Sequence, residues 1–254
     1  MILRDICLEE TIALWKGCEI VIMPKCVMFD LGGTILEGEF NPIQGNAEVL
    51  KNANNPRKLT PEQLQVEANK LDAEMLKLKN ISLLESTTTV FQRLLFALND
   101  IEVADSPYEI EKKFWDSAYL LKPTVGIVSL LKCFQDKSIT CSIISNIMFS
   151  SKTILAELEK HNLLQFFHSI ICSSDYGFRK PSNKLFEVAL TKEKCLPKES
   201  WYIGDSIEAD VKGATNAGMH PIWYNQNGEK ETDIESIDQI KTWFELEERV
   251  KKEL

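Results

Sequence analysis

Short apolar segments recur along the chain, and each ends in small or polar residues. They read KCVMFD, SITCSIIS, HSIICSS, SWYIGD and HPIWYN, and span residues 25–30, 138–145, 168–174, 200–205 and 220–225. Segments with apolar residues three or four positions apart, typical of helices, lie between them at residues 125–137, 150–162 and 182–194. Near-continuous apolar strands that alternate with helices predict an α/β fold whose parallel sheet is covered by helices on both faces.

A long region between the first and second predicted strands lacks this alternation. Residues 60–80 begin with Thr60, Pro61 and Gln63, a capping box with proline at the first helical position. One apolar stripe with helical spacing follows in this segment: Leu64, Ala68, Leu71, Met75 and Leu78. Two further apolar stripes with helical spacing come later: Phe91, Leu94, Leu95 and Leu98, and then Ile110, Phe114, Ala118 and Leu121. Ser106, Pro107 and Glu109 precede the last of these stripes as a second capping box.

These stripes predict a small all-α domain, residues 38–121, inserted into an α/β core domain of residues 24–37 and 122–254. Helices packed on the outer face of the sheet are the alternative, because periodicity alone does not identify the surface a helix packs against. Residues 1–23 form an N-terminal extension to which the sequence assigns no role.

Charge and composition exclude several classes of partner. The 29 Lys and Arg residues against 38 Asp and Glu residues leave a net charge of -9, which disfavours nucleic acid but allows a local basic pocket for a small anion. No apolar run approaches the roughly 18 residues of a membrane helix, so we expect no membrane partner. Seven cysteines without a CxxC pair favour free thiols and a cytoplasmic location. The oligomeric state stays open.

Candidate reactive side chains follow four of the predicted strands: Asp30, Ser145 with Asn146, Lys180, and Asp205 with Asp210. Functional groups of parallel sheets gather at the carboxyl ends of the strands. Two carboxylates that converge there, Asp30 and Asp205, can share a hard cation such as Mg²⁺, which prefers oxygen ligands. A lysine and a hydroxyl suit the oxygens of a phosphoryl group.

Four short motifs lie at these strand ends in a fixed order: DLGGT, SIISN, RKP and GDSIEAD. Together they resemble the four motifs of the haloacid dehalogenase superfamily of hydrolases. The resemblance implies a Rossmann-like core with a helical cap domain. It also implies that Asp30 is a nucleophile that forms an aspartyl-phosphate, that Ser145 and Asn146 hydrogen-bond the phosphoryl oxygens, and that Lys180 neutralises charge.

The same resemblance implies a metal site and a set of substrate contacts. Mg²⁺ would be bound by Asp30, the backbone carbonyl of Gly32 and Asp205. Asp210 would orient Lys180 or the water molecules of the metal. Gly33 and Thr34 would join Asn146 in binding the substrate, which we expect to be a small phosphorylated metabolite.

Gly32 departs from the family pattern, in which the first motif reads D-x-D-x-T. The second aspartate of that motif is the general acid and base of the phosphatases, and such catalysis commonly contributes about 10²–10⁴-fold. We therefore expect a Mg²⁺-dependent phosphatase that is weak or restricted to good leaving groups such as acyl phosphates. Glu37 or Glu39 could supply a replacement acid.

Three alternatives stay open. A phosphonate-cleaving enzyme would need a cap lysine, for which Lys70, Lys77 and Lys79 are candidates by location. A metal-independent dehalogenase is the second, and the retained Asp205 argues against it. The third is a catalytically weak member of the family that binds a phosphorylated ligand or partner.

Overall fold

The computed structural model describes residues 23–228 and 237–252. The strands in chain order are β1 (Cys26–Phe29), β2 (Leu36–Phe40), β3 (Ala53–Asn54), β4 (Glu102–Val103), β5 (Tyr119–Pro123), β6 (Thr140–Ser145), β7 (Ser169–Cys172), β8 (Ser200–Gly204), β9 (His220–Tyr224) and β10 (Gln239–Ile240). The helices are α1 (Pro42–Leu50), α2 (Pro61–Ser82), α3 (Thr88–Leu98), α4 (Pro107–Ala118), α5 (Ile127–Asp136), α6 (Ser151–Lys160), α7 (Ser173–Tyr176), α8 (Asn183–Glu193), α9 (Lys212–Asn216) and α10 (Trp243–Lys252).

A six-stranded sheet forms the centre of the molecule, in the order β10-β9-β8-β1-β6-β7. All neighbouring strands in it are parallel. The five strands predicted from the apolar segments all belong to this sheet, so the predicted α/β fold with a parallel sheet is confirmed. β10 was not predicted, because its two residues are too few to give an alternating pattern.

Helices cover both faces of this sheet, as the residues of β1 illustrate. Val27 and Phe29 pack in one apolar cluster with residues of α5, α6 and α10. Cys26 and Met28 point the other way, into a second cluster with residues of α8 and α9. Successive side chains of a strand face opposite sides, so a strand buried on both faces is apolar throughout.

The chain between β1 and β6 has an apolar cluster of its own, to which α1, α2, α3 and α4 all contribute: Val49, Leu64, Ala68, Leu95, Phe96, Ile101 and Ile110. Both capping boxes are present, with Thr60 and Gln63 at the start of α2 and Ser106 and Glu109 at the start of α4. These helices therefore begin where the sequence indicated. The division into domains itself stays a prediction.

This region is not purely helical. β3 and β4 form a short antiparallel pair within it. The third predicted stripe, Ile110 to Leu121, extended beyond the helix. α4 ends at Ala118, and Leu121 lies in β5 opposite Gly38 of β2. The β2–β5 pair links the inserted helices to the sheet, and cross-strand hydrogen bonds take the place of the expected last helical turn. The predicted boundaries at residues 37/38 and 121/122 fall inside these two strands.

Five cysteines lie within the described residues, and all have free thiols: Cys26, Cys133, Cys141, Cys172 and Cys195. Cys7 and Cys18 lie outside them, as does the N-terminal extension up to residue 22. Of the helices that the structure describes, none has both the length and the apolar character needed to cross a bilayer.

Candidate active site

Asp30 follows β1 directly, at the carboxyl end of a strand in the middle of the sheet. Its carboxylate accepts a hydrogen bond of 2.6 Å from Lys180 Nζ, and the same ammonium donates to Asp210 Oδ1, also at 2.6 Å. The Lys180 side chain is 1% exposed and that of Asp30 is 12% exposed. The structure thus joins three residues, predicted from three separate motifs, in one buried ion-pair network.

Two further contacts hold this network in place. Lys180 Nζ donates to the Tyr202 hydroxyl at 2.7 Å, and Tyr202 is buried in β8, next to β1. Asp210 lies in a single π-helical turn, Ile207–Val211, and its Oδ2 accepts a hydrogen bond of 3.0 Å from the Ser206 backbone. π-turns often occur at functional sites, where the wider turn redirects a side chain. Here it directs Asp210 towards Lys180.

The electrostatics of the site are dominated by its carboxylates. Burial raises the pKa of Asp30 to about 7, with Asp210 and Asp205 adding to the rise and Lys180 opposing it. Burial lowers the pKa of Lys180, but the adjacent Asp210 and Asp30 carboxylates outweigh it and hold that pKa above its usual value. Lys180 therefore stays charged at neutral pH.

The carboxylates of Asp30, Asp205 and Asp210 form a group suited to a metal ion, since their ligand atoms lie within 4.8 Å of one another. Three acids with one lysine leave a net negative charge that a divalent cation would balance, and Mg²⁺ prefers oxygen ligands. Asp210 already hydrogen-bonds Lys180 through Oδ1 and the Ser206 backbone through Oδ2, which favours a supporting role for it. The residues present fit Mg²⁺.

Two glycines allow the chain to approach these carboxylates closely. Gly33 has a φ of 75°, and an ideal Cβ there would lie 2.3 Å from Asp205 Oδ2. At Gly204 an ideal Cβ would lie 2.4 Å from the Asp210 carboxylate. Gly32 differs from both, because an ideal Cβ at this position meets no atom within 4 Å. The first two glycines are required by packing, whereas the third leaves open space.

Ser145 ends β6 and lines the same cavity as Asp30, Lys180 and Asp205. Asn146 also lines it, but its side chain is engaged by the Lys180 backbone: Nδ2 donates to the carbonyl at 2.9 Å, and Oδ1 accepts from the amide at 2.7 Å. Asn146 therefore holds the loop that positions the lysine, a contact that the motif did not indicate.

Gly33 and Thr34, predicted to bind substrate, are not among the residues that line this cavity. Thr34 is completely buried, its Oγ1 has no hydrogen-bond partner, and its backbone carbonyl accepts from the Thr124 hydroxyl at 2.7 Å. Gly33 lies against Asp205. Thr34 is thus part of the core, whereas Gly33 is exposed outside the wall of the cavity.

The proposed replacement acids are not brought to the cavity. Glu37 forms an ion pair of 3.4 Å with Lys122 across the β2–β5 pair, and Glu39 is exposed. Neither is among the lining residues. Within the described part of the chain, the acids that line the cavity are Asp30, Asp205 and Asp210.

The candidate cap lysines are also elsewhere. Lys79 is buried in an ion pair of 2.9 Å with Glu85, and Lys70 pairs with Glu67 on the surface. Lys77 is exposed. Among residues 23–228 and 237–252, Lys180 is the lysine that lines the cavity.

The cavity has a volume of about 350 Å³, and part of its wall comes from the inserted region. Trp115 of α4, with Tyr119 and Leu121 of β5, lines it together with the carboxylates. Trp115 and Tyr119 stack with ring centroids 4.1 Å apart. The site is therefore charged on the sheet side and aromatic on the other.

Sequence reasoning missed Tyr202, which lies in an apolar strand and has the pattern of a core residue. Its hydroxyl lies 3.1 Å from the Ile144 carbonyl and 3.1 Å from Asp210 Oδ1, in addition to its contact with Lys180. A signal was available, since a buried tyrosine hydroxyl usually requires a hydrogen-bond partner. The identity of that partner depends on the fold.

Comparisons with curated proteins find relatives that act on phosphate esters. A glyceraldehyde 3-phosphate phosphatase of Methanothermobacter thermautotrophicus is 33% identical over 135 residues, which cover 48% of this chain and 58% of that enzyme. The chain thus spans little more than half the length of this relative. A pyrimidine 5′-nucleotidase of Streptococcus pneumoniae is 26% identical over 207 residues, covering 79% of this chain and 84% of the nucleotidase.

Solved structures of two differently named enzymes share the fold. A phosphatase of Thermococcus onnurineus has a TM-score of 0.62 at 21% identity and covers 89% of this chain and 97% of its own. A 2-haloacid dehalogenase of Pseudomonas syringae pv. Tomato has a TM-score of 0.64 at 21% identity, covering 91% of this chain and 99% of its own. The fold is thus shared by phosphatases and dehalogenases and does not choose between them.

The family model described as haloacid dehalogenase-like hydrolase matches residues 27–224, from the first apolar strand to the end of β9. This match includes all four motifs and the inserted helices. The chain belongs to the haloacid dehalogenase-like hydrolases.

Proposed function

We propose that this protein is a Mg²⁺-dependent hydrolase of a small phosphorylated metabolite that acts through an aspartyl-phosphate at Asp30. The observation that carries the proposal is the buried network of Asp30, Lys180 and Asp210 beside the Asp205 carboxylate. The names of its relatives, a sugar-phosphate phosphatase and a nucleotidase, support phosphate esters as substrates.

Asp30 is the nucleophile in the proposed reaction. An oxygen of its carboxylate forms a bond to phosphorus while the bond from phosphorus to the leaving oxygen breaks, and water then releases phosphate from Asp30. Lys180, held by Asp210 and Tyr202, keeps Asp30 oriented and balances charge on the phosphoryl oxygens. The Ser145 hydroxyl, at the end of β6, is the proposed donor to those oxygens.

Mg²⁺, when bound to Asp30, Asp205 and the Gly32 carbonyl, would supply Lewis-acid stabilisation of charge on the phosphoryl group. In support, Gly32 lines the cavity together with the two aspartates. Lys180 and the aspartates then have different roles. The lysine positions the nucleophile, and the carboxylates provide oxygen ligands for Mg²⁺.

Gly32 supports an activity that is either weak or restricted to good leaving groups. Among the described residues that line the cavity there is no glutamate, and the three aspartates there are committed to the nucleophile and the cation site. An acyl phosphate or an aryl phosphate releases a stabilised anion and needs little protonation. A simple alkyl phosphate gains most from a general acid.

We further propose that residues 38–121 act as a cap over a core of residues 24–37 and 122–254. Trp115 and Tyr119 support this, since both belong to this segment and line the cavity that contains the carboxylates. A cap of this kind excludes water from the site and selects the leaving group. The free thiols of the described cysteines support a reducing, cytoplasmic setting.

The other activities within the family have less support. A phosphonatase-like mechanism needs a cap lysine in the site, and Lys79, the buried candidate, is paired with Glu85. A metal-independent dehalogenase does not require the cluster of carboxylates formed by Asp30, Asp205 and Asp210. A protein that only binds a phosphorylated ligand would keep the same contacts. Turnover of a phosphate ester distinguishes it from an enzyme.

The test is hydrolysis of acetyl phosphate and of p-nitrophenyl phosphate, with Mg²⁺ and with EDTA. We expect Mg²⁺-dependent release of phosphate that is lost in Asp30→Asn and retained in Asp136→Asn, which removes an exposed carboxylate at the end of α5. Release of halide from a 2-haloacid without metal would contradict the proposal. Tight phosphate binding with no turnover of either ester would leave the binding-only alternative.

A further inference from the structure

A second cavity, of about 360 Å³, lies between the inserted helices and the loop after β6. Three residues, Tyr119, Asn146 and Ile147, line both this cavity and the one that contains Asp30. The two cavities therefore adjoin at these three residues. Pockets of roughly 300–1,000 Å³ typically enclose organic ligands of drug size, so the space exceeds the needs of a three-carbon alcohol.

Flat aromatic rings form much of the wall of this second cavity. Phe40 stacks on Tyr119 with ring centroids 4.5 Å apart, and Phe114 stacks on Phe149 at 6.1 Å. Phe91, on α3, also lines it. Such walls favour a ligand with a flat, weakly polar face, because aromatic rings pair best in offset or edge-to-face contact.

Uncharged polar groups are set among these rings. Asn46 Nδ2 donates to Gln65 Oε1 at 2.8 Å, and Gln65 Nε2 donates to Asn69 Oδ1 at 2.7 Å, which forms a chain of amides along the wall. Thr88 is 4% exposed and Gln92 is 7% exposed, and both line the cavity. The Thr88 hydroxyl has no hydrogen-bond partner among the described residues. A buried hydroxyl of this kind favours a ligand that can hydrogen-bond to it.

The cavity offers no positive charge to a ligand. Among the described residues that line it there is no lysine, arginine or histidine, and its one ionisable acid is Asp72. The chain as a whole carries a net charge of -9. A second phosphate or a carboxylate on the substrate would therefore meet no counter-charge, whereas a neutral group with donors and acceptors would be accommodated.

We propose that this cavity binds the leaving group, and that the substrate is a phosphate monoester of an alcohol bearing an uncharged heteroaromatic ring, as in a nucleoside monophosphate. Because its alkyl leaving group needs a general acid that Gly32 does not supply, such a substrate would bind tightly and be hydrolysed slowly. The inference rests on the proposed function, since it takes the phosphoryl group to lie at Asp30. The faces of such a ring would pack against the flat aromatic walls. The polar edge of the ring would hydrogen-bond to the amides.

Equilibrium binding tests the ligand class separately from catalysis. Asp30→Asn with Mg²⁺ is titrated calorimetrically with uridine 5′-monophosphate, adenosine 5′-monophosphate, glycerol 3-phosphate and fructose 1,6-bisphosphate. We expect at least one nucleotide to bind ten or more times tighter than both non-aromatic phosphates. Equal or weaker binding of both nucleotides would overturn the proposal.

Two substitutions test the wall directly. Gln92→Leu keeps the size of the side chain and removes its hydrogen bonds, so we expect nucleotide affinity to fall about five- to tenfold, the worth of one neutral hydrogen bond. Asn69→Lys adds a cation to the wall and should shift preference towards fructose 1,6-bisphosphate. Val66→Lys, on the exposed side of the same helix, should not. An equal shift in both lysine variants would contradict a role for the cavity.

Hydrolysis of acetyl phosphate, which has no ring, separates this inference from the proposed function. Loss of nucleotide preference with Mg²⁺-dependent acetyl phosphate hydrolysis intact would refute the ligand class alone. Absence of hydrolysis with preferential nucleotide binding would refute the proposed reaction and leave the ligand class supported.

Discussion

Gly32 borders open space in the cavity that contains the three carboxylates. Its ideal Cβ meets nothing within 4 Å, and it is not among the residues with positive φ. A side chain can therefore be added here without backbone strain or collision. This makes position 32 a direct test of whether a missing acid limits turnover.

We predict that Gly32→Asp will increase hydrolysis of an alkyl phosphate by about 10-fold or more, because a general acid contributes about 10²–10⁴-fold where it is well placed. The gain should be larger for the alkyl phosphate than for acetyl phosphate, whose leaving group needs little protonation. Steady-state kcat/KM for the two esters measures it.

Gly32→Asn is the matched control, since it has nearly the same shape without an ionisable proton. If Gly32→Asn gives the same gain, the effect comes from filling space and not from acid catalysis.

A substitution at Gly33 tests whether the close contact between this residue and the Asp205 carboxylate is needed for metal binding. We predict that Gly33→Ala will weaken Mg²⁺ binding about tenfold or more, because its Cβ would lie 2.3 Å from Asp205 Oδ2 and displace that carboxylate. The positive φ of 75° adds a backbone cost of about 1–2 kcal/mol. Mg²⁺ titration and thermal unfolding separate the two effects.

Gly177→Ala supplies the comparison for that variant. Gly177 has a similar φ of 72°, but an ideal Cβ there meets no atom within 4 Å. It should lose stability to a similar extent and keep its Mg²⁺ affinity. Equal loss of metal affinity in both variants would show that strain, and not the Asp205 contact, is responsible.

Single residues of the site differ in how far sequence could identify them. Asp30, Lys180 and Asp210 were identified because each lies in a motif at a strand end, and the structure brings them within hydrogen-bonding distance. Tyr202 and the contact of Asn146 with the Lys180 backbone were missed. Those contacts join residues distant in sequence, and no local pattern encodes them.

At the level of elements, α4 and α6 are joined by two buried carboxylates. Glu157 of α6 accepts a hydrogen bond of 3.0 Å from the Trp115 indole of α4. Glu111 of α4 accepts one of 3.0 Å from the backbone of Ser150, which precedes the first residue of α6. A carboxylate at a helix N-terminus satisfies backbone donors and complements the helix dipole. The inserted region is thus anchored to the helix that follows β6.

Glu157 gives this contact a pH dependence. Burial raises the pKa of Glu157, but hydrogen bonds from Trp115 and His161 outweigh it and hold the pKa below its ordinary value of 4.5. A lowered pKa in the folded state means that the stabilisation is fully present above pH 4.5 and is lost as the pH falls through the folded-state pKa.

We predict that Glu157→Gln will lower the free energy of unfolding by about 1.5–3 kcal/mol at neutral pH, as expected for a lost hydrogen bond to a charged group. The difference from the unaltered protein should shrink as the pH falls below 4.5. Urea unfolding at several pH values measures this. Glu159→Gln, exposed on the same helix, should show no such trend, and a pH-independent loss in Glu157→Gln would contradict the assignment.

For the molecule as a whole, the sheet order brings the site together. β1 lies between β8 and β6, so residues following these three strands meet at one edge. Two apolar clusters hold the helices on the two faces of the sheet, and a third lies within the inserted region. Metal binding at this edge should therefore stabilise the entire fold and not a local segment.

We predict that Mg²⁺ will raise the unfolding midpoint by several degrees. A ligand at 100 times its Kd adds about 2.7 kcal/mol, and each kcal/mol shifts Tm by roughly 2–4 °C in a protein of this size. Asp205→Asn should abolish the shift in the unfolding midpoint. Asp136→Asn should keep it, because Asp136 ends α5 just before the amino end of β6, whereas the site lies at the carboxyl ends of the strands. Calorimetry with and without Mg²⁺ decides, and a shift that survives Asp205→Asn would place the cation elsewhere.

The sequence by itself determined five of the six strands of the central sheet, the helix starts at Thr60 and Ser106, and the order of the four motifs. Burial and capping act over a few neighbouring residues and leave local patterns. Tertiary structure alone decided that β5 replaces the last turn of α4, that Tyr202 holds Lys180, and that an aromatic cavity adjoins the carboxylates. These features depend on contacts between segments far apart in the chain, whose partners no local period specifies.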